Sequence, residues 1–245
     1  MKFLNLRYDF DWGIPFREPF LGWLITGVEL TLLIAAVTAI MSLLFGTVLA
    51  IMRVSRFKFL NIPAKIYVEI VRNIPGLFWL LFFYFVFPDL LPFSLGDKLH
   101  AYAKYSVVAG ILGLTVDNSA YVSDIVRTGL LSVPRGHIEA AVSTGLNRFQ
   151  QLRHVIMPEA FRTILPPLGS RMIHNFKNSS LCMAIAAPEL TWATQQVESI
   201  TFRGLEVTVL ATIFYISLSL IMAALLFRIE RHFKIDLTSI KGQRS

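Results

Sequence analysis

Residues 30–52, LTLLIAAVTAIMSLLFGTVLAIM, decide the fold, because this stretch holds no charged side chain and Arg53 follows it directly. About twenty consecutive apolar residues are enough for a helix to span the hydrocarbon core of a bilayer. A helix on a soluble core would instead carry a charged face along its length. The stretch therefore predicts a transmembrane helix.

Long apolar runs of this kind recur along the chain, and hydrophobic residues make up 55% of its 245 residues. Five spans can be drawn, at residues 22–52, 66–87, 105–131, 160–187 and 205–227. Each is near or above the length that a bilayer requires, although the second and the fourth contain charged side chains. The sequence therefore predicts an all-α membrane protein with five transmembrane helices.

Lysine and arginine residues indicate the orientation of a membrane protein, because they concentrate in short cytoplasmic connections. The connections after the first, third and fifth spans carry most of these cations, among them Arg53, Arg135 and Arg228. The N-terminus is therefore expected outside and the C-terminus inside. The expected parts are an external segment, a transmembrane domain, a cytoplasmic loop within that domain and a cytoplasmic tail, at residues 1–20, 21–229, 132–159 and 230–245.

The net charge of +7 does not indicate nucleic-acid binding, because no basic stripe is interleaved with aromatic residues. Cys182 is the single cysteine, so the sequence offers it no partner for an internal disulfide. Neither His154 nor His174 has a second ligand at metal spacing, and no metal site is expected. Residues 1–19 lack the basic and short apolar regions of a signal peptide, so we expect no cleavage there.

The most specific stretch is residues 134–150, PRGHIEAAVSTGLNRFQ, in the loop expected to be cytoplasmic. Gly145 suits the left-handed position that ends a helix. Asn147 with Gln150 three residues later matches a capping box that opens a second helix. The loop is therefore predicted to form two short helices joined in a tight elbow. From spacing alone, it is either a plain amphipathic loop or an element that docks on another protein.

A motif in this loop resembles the cytoplasmic signature of binding-protein-dependent ABC transporter permeases of the type I importer class. The residues that carry it are Glu139, Ala140, Ala141, Gly145, Val155, Met157 and Pro158. Val155 and Met157 stand where that family usually has Ile and Leu. The resemblance implies that the elbow is a coupling helix that docks into an ATP-binding subunit. The implied contacts are Glu139, Ala140, Ala141 and Gly145.

Further segments resemble the polar amino acid branch of that family, which transports histidine, glutamine or glutamate and aspartate. They are residues 67–75 (YVEIVRNIP), 120–127 (AYVSDIVR), 177–181 (KNSSL) and 188–191 (PELT). Residues 11–14, 21–23 and 88–92 are similar to glutamate/aspartate permeases, so glutamate or aspartate is the expected substrate. Glutamine, arginine, histidine and cystine are the alternatives.

Three positions depart from the pattern of the branch. Trp79 replaces a usual Gln, Asp124 a usual Glu, and His137 a Gln that often precedes the Ile-Glu-Ala-Ala run. The loss of a side-chain amide at position 79 bears most directly on the substrate, because an amide beside a polar path can bind what passes. The amino acid that is carried therefore stays open at this point.

The resemblance implies a location in the cytoplasmic (inner) membrane of a bacterium and four kinds of partner. These are a dimer of ATP-binding cassette ATPases, a second permease that is identical or a sister chain, an external solute-binding protein and the amino acid itself. The chain has no phosphate-binding loop ending in Gly-Lys-Ser/Thr. We therefore expect a transport subunit that is not an enzyme and holds no cofactor, with Mg-ATP bound by the partner.

Two other classes of membrane protein fit the sequence less well. Stand-alone ion-coupled transporters commonly show paired repeats within one chain, and the five predicted spans show none. An intramembrane enzyme would need a nucleophile motif such as Gly-x-Ser-x-Gly, which does not occur. Loss of transport when the ATPase partner is missing would distinguish an ABC permease from both of these classes.

Charged side chains at membrane depth cost about 2.5–3.5 kcal/mol on insertion scales, so they usually face the bundle interior or water. Asp117, Tyr121 and Asp124 share one face of the third span, at i, i+4 and i+7. The fourth span repeats this spacing with another polar stripe. The residues predicted to line a substrate path are Asp117, Asn118, Asp124, Arg171, His174, Lys177, Asn178 and Ser179.

An amino acid needs hydrogen-bond donors for its carboxylate and acceptors for its ammonium group. Lys177, Asn178 and Ser179 can supply the donors. Asp117, Asn118 and Asp124 either accept the ammonium group or neutralise Lys177 as structural ion pairs. Both interpretations are open from the sequence.

Glu69 and Arg72 are three residues apart near the expected cytoplasmic interface, where long side chains reach water. A gating or structural role is favoured over substrate contact for this pair. Pro75 follows closely and is expected to kink the second span, as Pro166 and Pro167 are expected to kink the fourth. Broken spans expose backbone groups that a transported solute can contact.

Overall fold

The computed structural model describes residues 9–232, and every regular element within that range is helical. In chain order the helices are α1 (Phe20–Val54), α2 (Lys58–Asn73), α3 (Gly76–Leu81), α4 (Phe93–His100), α5 (Tyr105–Leu131), α6 (Arg135–Ser143), α7 (Arg148–Gln151), α8 (Met157–Asn178), α9 (Leu190–Thr201) and α10 (Gly204–His232). The π-helical turns Phe82–Val86 and Leu152–Ile156 continue α3 and α7, and 3₁₀ turns lie at Ile14–Phe16, Pro88–Leu90 and Ser179–Ile185. The all-α prediction is confirmed.

The predicted count of five spans is not confirmed. Two described helices are long and apolar enough to cross a membrane, at Phe20–Val54 and Gly204–Arg231. Two further pairs meet the same conditions only when taken together, so up to four spans qualify in the described part of the chain. The fourth predicted span corresponds to α8, which carries several charged residues and ends at Asn178.

The second predicted span, 66–87, is not one straight helix. α2 ends at Asn73, α3 begins at Gly76, and the two segments are bent by 106°. Pro75 explains the break, because a proline excludes the helical conformation at the residue before it, and Ile74 is extended with φ −105° and ψ 129°. The expected kink at Pro75 is therefore confirmed, and it is large enough to turn the chain.

The fourth span behaves differently at its own prolines. α8 runs through Pro166 and Pro167 without interruption, so the expected kink there is not accompanied by a break of the helix. A proline removes its own backbone donor and its ring crowds the carbonyl four residues earlier, and packing against neighbouring helices compensates for these costs in membrane proteins. The irregular part of this predicted span follows α8 instead, in the 3₁₀ turn Ser179–Ile185, and a π-helical turn at Leu152–Ile156 precedes α8.

Helix α5 forms the centre of the bundle and packs against α1, α2, α3 and α8. Small residues allow this close approach. A Cβ atom at Gly46 of α1 would lie 2.7 Å from the carbonyl oxygen of Ser119, and one at Gly113 would lie 2.8 Å from the backbone nitrogen of Leu80. The polar face of α5 is thereby held within reach of three neighbouring helices.

Candidate functional site

Seven polar side chains from four helices meet around α5 and are called the charge cluster below: Arg53, Arg72, Asp117, Asn118, Tyr121, Asp124 and Arg171. Arg171 of α8 donates from Nη2 to Asp117 Oδ2 at 2.8 Å and from Nε to Asn118 Oδ1. Both partners of the ion pair are largely buried, with 11% of the Arg171 side chain and 8% of the Asp117 side chain exposed. Asn118 in turn donates to Ser42 Oγ of α1 at 2.7 Å.

The ring of Tyr121 lies close to two guanidinium groups. The Arg171 group is 3.9 Å from the ring centroid and the Arg72 group is 5.5 Å from it. The face of an aromatic ring attracts a cation, and this attraction grows where water is excluded. The Tyr121 ring therefore stabilises two of the positive charges of the cluster.

Asp124 binds two arginines at once. Its Oδ1 atom accepts a hydrogen bond of 2.6 Å from Arg53 Nη1, and its Oδ2 atom accepts one from Arg72 Nη1. Arg72 lies in the last turn of α2, immediately before the break at Pro75. Asp124 thus joins α1, α2 and α5 at the point where the chain turns.

These contacts bear on one of the two interpretations of the carboxylates, the neutralisation of Lys177. Asp117 and Asp124 are neutralised by arginines, and no ion pair within residues 9–232 joins either of them to Lys177. The expectation that they neutralise Lys177 is therefore wrong, because Asp117 pairs with Arg171 and Asp124 pairs with Arg53 and Arg72. Their proposed role as acceptors for an ammonium group would require these pairs to open.

The predicted donors at the end of α8 and directly after it differ in accessibility. Ser179 is buried and its hydroxyl donates to the Phe176 carbonyl at 2.6 Å, so it is not available to a ligand. Asn178 is half-buried, whereas Lys177 is exposed and faces a groove beside α10. His174 is exposed, with Nδ1 3.4 Å from Arg171 Nη1. The structure thus brings Asp117, Asn118, Asp124 and Arg171 together and leaves Lys177 apart.

Glu69 and Arg72 do not pair with each other. Glu69 is exposed, and its backbone carbonyl accepts a hydrogen bond of 2.7 Å from Asn73 Nδ2. The Arg72 side chain instead contacts Asp124 and the ring of Tyr121. Of the pair named from the sequence, Arg72 is the one that contacts the charge cluster.

The elbow, defined as residues 135–151, has the local geometry that the sequence predicts. Gly145 has a φ of +79°, and its amide donates to the Val142 carbonyl at 2.9 Å. The Gln150 amide donates to Asn147 Oδ1 at 3.0 Å, and the Asn147 amide donates to Gln150 Oε1 at 2.9 Å. The left-handed glycine and the capping box are both confirmed.

The residues expected to contact an ATP-binding subunit differ in accessibility. Glu139, Ala140 and Gly145 are exposed, whereas only 5% of Ala141 is exposed. Ala141 therefore supports the elbow from within. A link of 2.9 Å between His137 Nδ1 and Glu159 Oε2 ties α6 to the first turn of α8.

Sequence reasoning missed two groups of residues. Val142 and Phe149 present apolar surface on the elbow, 57% and 68% exposed, which the amphipathic pattern of a short loop helix could have indicated. Arg53 was taken only as an orientation signal, yet its side chain is 9% exposed and binds Asp124. Nothing in the local sequence distinguishes Arg53 from Arg56, since the partner lies far along the chain.

Glu189 is a third omission, and it is fully buried. It caps α9 by accepting hydrogen bonds from the Thr191 and Trp192 amides, both at 2.9 Å, and it accepts a third from the Tyr215 hydroxyl at 3.0 Å. An acidic residue directly before a helix is a recognisable N-cap signal. Among the described residues no group of three His, Cys, Asp or Glu side chains is placed to hold a metal ion.

Comparison with known proteins identifies the class to which this architecture belongs. Residues 42–235 match the family described as binding-protein-dependent transport system inner membrane component. The chain belongs to this family, whose members are permeases.

Two relatives and one solved structure illustrate the similarity. The chain is 31% identical to the glutamine transport system permease protein GlnP of Escherichia coli (strain K12), over 93% of this chain and 99% of that protein. It is 33% identical to the glutamate/aspartate import permease protein GltK of Escherichia coli O157:H7, over 80% and 90%. A crystal structure of an amino acid ABC transporter with histidines matches with a TM-score of 0.79 at 28% identity, over 92% of this chain and 100% of that chain. The type I importer permease fold is confirmed.

Proposed function

We propose that this chain is the transmembrane permease subunit of an ABC importer that carries polar amino acids across the cytoplasmic membrane of a bacterium. The observation that carries the proposal is the elbow, an exposed pair of short helices whose shape is held by its own capping contacts. The names of the relatives support the substrate class. The chain has no phosphate-binding loop, so ATP hydrolysis belongs to a partner subunit.

The elbow is the element that receives the motion of the ATPases. Glu139, Ala140 and Gly145 offer a polar and small-residue surface, and Val142 and Phe149 add apolar area that a groove on another protein can cover. When the ATPases close on ATP, they displace the elbow. The membrane helices then change from inward-open to outward-open, and the solute enters from outside.

The connections of the elbow explain how that displacement reaches the charge cluster. α6 follows α5 after three residues, and His137 links it to Glu159 at the start of α8. Helix α5 contributes Asp117 and helix α8 contributes Arg171, and these two residues form the most buried ion pair of the cluster. A shift of the elbow therefore acts on both sides of that pair.

A second permease and an external solute-binding protein complete the assembly. Arg72, His174 and Lys177 are exposed on α2 and α8, and the backbone is irregular at 74–75. Such groups are tolerated in a membrane only against protein or a water-filled path. A second permease, either identical or a sister chain, supplies that cover, and the solute-binding protein delivers cargo outside.

Glutamate and aspartate are the proposed substrates within the class. The charge cluster holds three guanidinium groups and two carboxylates, an excess of one positive charge that favours a solute with net negative charge. Glutamine, arginine, histidine and cystine are the alternatives, since the relatives include glutamine permeases at similar identity.

Uptake of labelled glutamate, aspartate, glutamine and arginine into vesicles tests the proposal. The vesicles contain this chain with its ATPase and binding protein, and uptake is measured with and without ATP. ATP-dependent uptake of glutamate or aspartate is the expected result. ATP-dependent uptake of glutamine or arginine would support the assignment as a permease but contradict glutamate and aspartate as substrates. ATP-independent uptake would indicate an ion-coupled transporter. Vesicles with the ATPase but without the permease provide the control.

A further inference from the structure

Helix α2 carries two apolar faces, and only one of them is covered. Its buried side chains, Ala64, Val68 and Val71, pack against α1 and α5. On another side of the helix, four long apolar side chains are each at least 50% exposed, at spacings of three, four and four residues: Phe59, Ile62, Ile66 and Ile70. Residues at these spacings share one face of an α-helix. These four side chains are called the α2 stripe below.

Cationic side chains lie beside the α2 stripe. Arg56, Lys58 and Lys65 are exposed, and none of them forms an ion pair with a carboxylate of residues 9–232. Lys58 and Lys65 are seven residues apart, so they lie on the same side of the helix, about two turns from each other. Arg72, the remaining cation of α2, is bound in the charge cluster, and Glu69 is the one acidic residue of the helix. This side of α2 therefore carries positive charge without a partner.

Helix α2 crosses the bundle instead of running along it. A Cβ atom at Gly76 would lie 3.3 Å from Asp117 Cγ, and one at Gly113 would lie 2.8 Å from the backbone nitrogen of Leu80. The contacts of α3 with α5 thus follow opposite chain directions, so these two helices are antiparallel. Because the segments that contain α2 and α3 are bent by 106°, α2 lies across α5.

Both ends of α2 lie near Arg53, at the end of α1. Near the start of α2, Asn61 Nδ2 donates to the Arg53 carbonyl at 2.5 Å. At the other end of α2, Arg72 binds Asp124, which also accepts from the Arg53 side chain. Arg53 directly follows the charge-free stretch of α1 and is expected at the cytoplasmic face of the membrane. Helix α2 therefore lies close to the plane of that face.

An anionic lipid surface matches both the stripe and the cations. The cytoplasmic leaflet carries negative charge, which attracts Lys and Arg residues close to it. A helix with an apolar face and a cationic edge lies in the interface, with the apolar side chains among the acyl chains. The neighbouring α1 is long and apolar enough to span the membrane, and its cytoplasmic half exposes Leu44, Val48 and Ile51. Acyl chains around α1 therefore reach α2, which packs against it.

From these features we propose that α2 binds anionic phospholipids of the cytoplasmic leaflet, with Arg56, Lys58 and Lys65 on the phosphate groups and the α2 stripe among the acyl chains. A protein partner on this side would have to supply a carboxylate for each cation, whereas every anionic headgroup brings a phosphate. The site concerns the membrane around the importer and does not depend on which solute is carried.

Photolabelling of the complete importer in nanodiscs tests the proposal. The nanodiscs contain phosphatidylcholine and a minor fraction of a lipid with a diazirine in its acyl chain. In one preparation this probe is phosphatidylglycerol, which is anionic, and in the other it is phosphatidylcholine, which has no net charge. After illumination, mass spectrometry measures the fraction of segment 57–73 that carries each probe. The ratio of the two fractions reports the preference of α2 for anionic lipid.

Phosphatidylglycerol is expected to label segment 57–73 at least about fivefold more than phosphatidylcholine, the factor that one Lys or Arg near an anionic leaflet supplies. Lys58→Gln combined with Lys65→Gln should lower the ratio below about twofold. Lys98→Gln combined with Lys104→Gln is the matched control, because it removes the same charge from exposed positions expected outside, and its ratio should stay unchanged. Glu69→Gln should raise the ratio.

Three results would overturn the proposal. Absence of labelling of segment 57–73 by both probes would show that protein, such as a second permease, covers the α2 stripe. Equal labelling by the two probes would show that α2 does not select anionic lipid. An equal fall of the ratio in the two double variants would assign the preference to the charge of the whole complex. Basal ATP hydrolysis by each variant complex verifies assembly, and the photolabelling needs no transported solute.

Discussion

The elbow and the charge cluster are both rich in polar side chains, but they are held in opposite ways. The capping bonds of the elbow join residues three apart, as between Asn147 and Gln150. In the charge cluster Arg171 and Asp117 are 54 residues apart, and Arg53 and Asp124 are 71 apart. The elbow can therefore keep its shape while the bundle moves, whereas the cluster changes whenever α5 moves against α1, α2 or α8.

This difference indicates that the elbow transmits a displacement and that the charge cluster responds to it. An element with internal contacts can move as a rigid body, and hinge or shear motions are then taken up where it joins its neighbours. Ion pairs between helices stabilise one arrangement and are lost in another. The following predictions measure how far the two regions differ.

The largest expected effect is in the charge cluster. Arg171→Met leaves the Asp117 carboxylate buried without its partner, and breaking a buried ion pair from one side costs about 3–5 kcal/mol. Thermal unfolding of the purified chain in detergent measures this loss. The double variant Arg171→Met, Asp117→Asn is expected to lose less, because it removes both charges. Equal losses of stability in the single and double variants would show that the broken ion pair is not the cause of the lower stability.

The next largest effect is expected for Gly145→Trp, and it is an effect on transport instead of stability. A Cβ atom at Gly145 meets nothing within 4 Å, so the cost within the chain is the left-handed backbone, about 1–2 kcal/mol. We expect ATP-driven uptake in vesicles to fall at least about tenfold, or about 1.4 kcal/mol, because the indole blocks docking. Membrane insertion should be unchanged. Gly145→Ala carries the same backbone strain without the bulk, and normal uptake by the Trp variant would refute the docking assignment.

Asn147→Ala tests the local origin of the elbow's shape. Loss of the N-cap is expected to destabilise the elbow by about 1 kcal/mol. Hydrogen exchange of the amides from Arg148 to Gln151 should speed up while amides of α5 keep their rates. Asn147→Ser retains a capping oxygen and serves as the control. Faster exchange that extends into α5 would mean that the elbow depends on the bundle after all.

The smallest expected effect is at the junction between the elbow and α8. His137 and Glu159 are 59% and 34% exposed, and exposed pairs contribute about 0–1 kcal/mol. His137→Gln should therefore change uptake less than about twofold, and Glu159→Gln should match it. A large loss in the His137 variant alone would indicate that this side chain contacts the ATPase itself.

The features that could be predicted from the sequence are those that depend on contacts between residues close together in the chain. The α1 span, the left-handed Gly145 and the Asn147 capping box depend on neighbours within a few residues, and all three agree with the structure. The break at Pro75 was also predictable, because a proline restricts the residue before it. The 106° angle of that break was not, since it depends on what α2 and α3 pack against.

The sequence by itself determined which residues lie on which helix and which of them share a face. Helical periodicity placed Asp117, Tyr121 and Asp124 on one side of α5, but it assigned the carboxylates to Lys177 or to the solute as equal possibilities. Only the tertiary structure decided that Asp124 binds Arg53 and Arg72, that Arg171 binds Asp117 and that Lys177 stays apart. The physical reason is that periodicity sets the direction of a side chain about its own helix, whereas an ion pair depends on the positions of two helices that are distant in sequence.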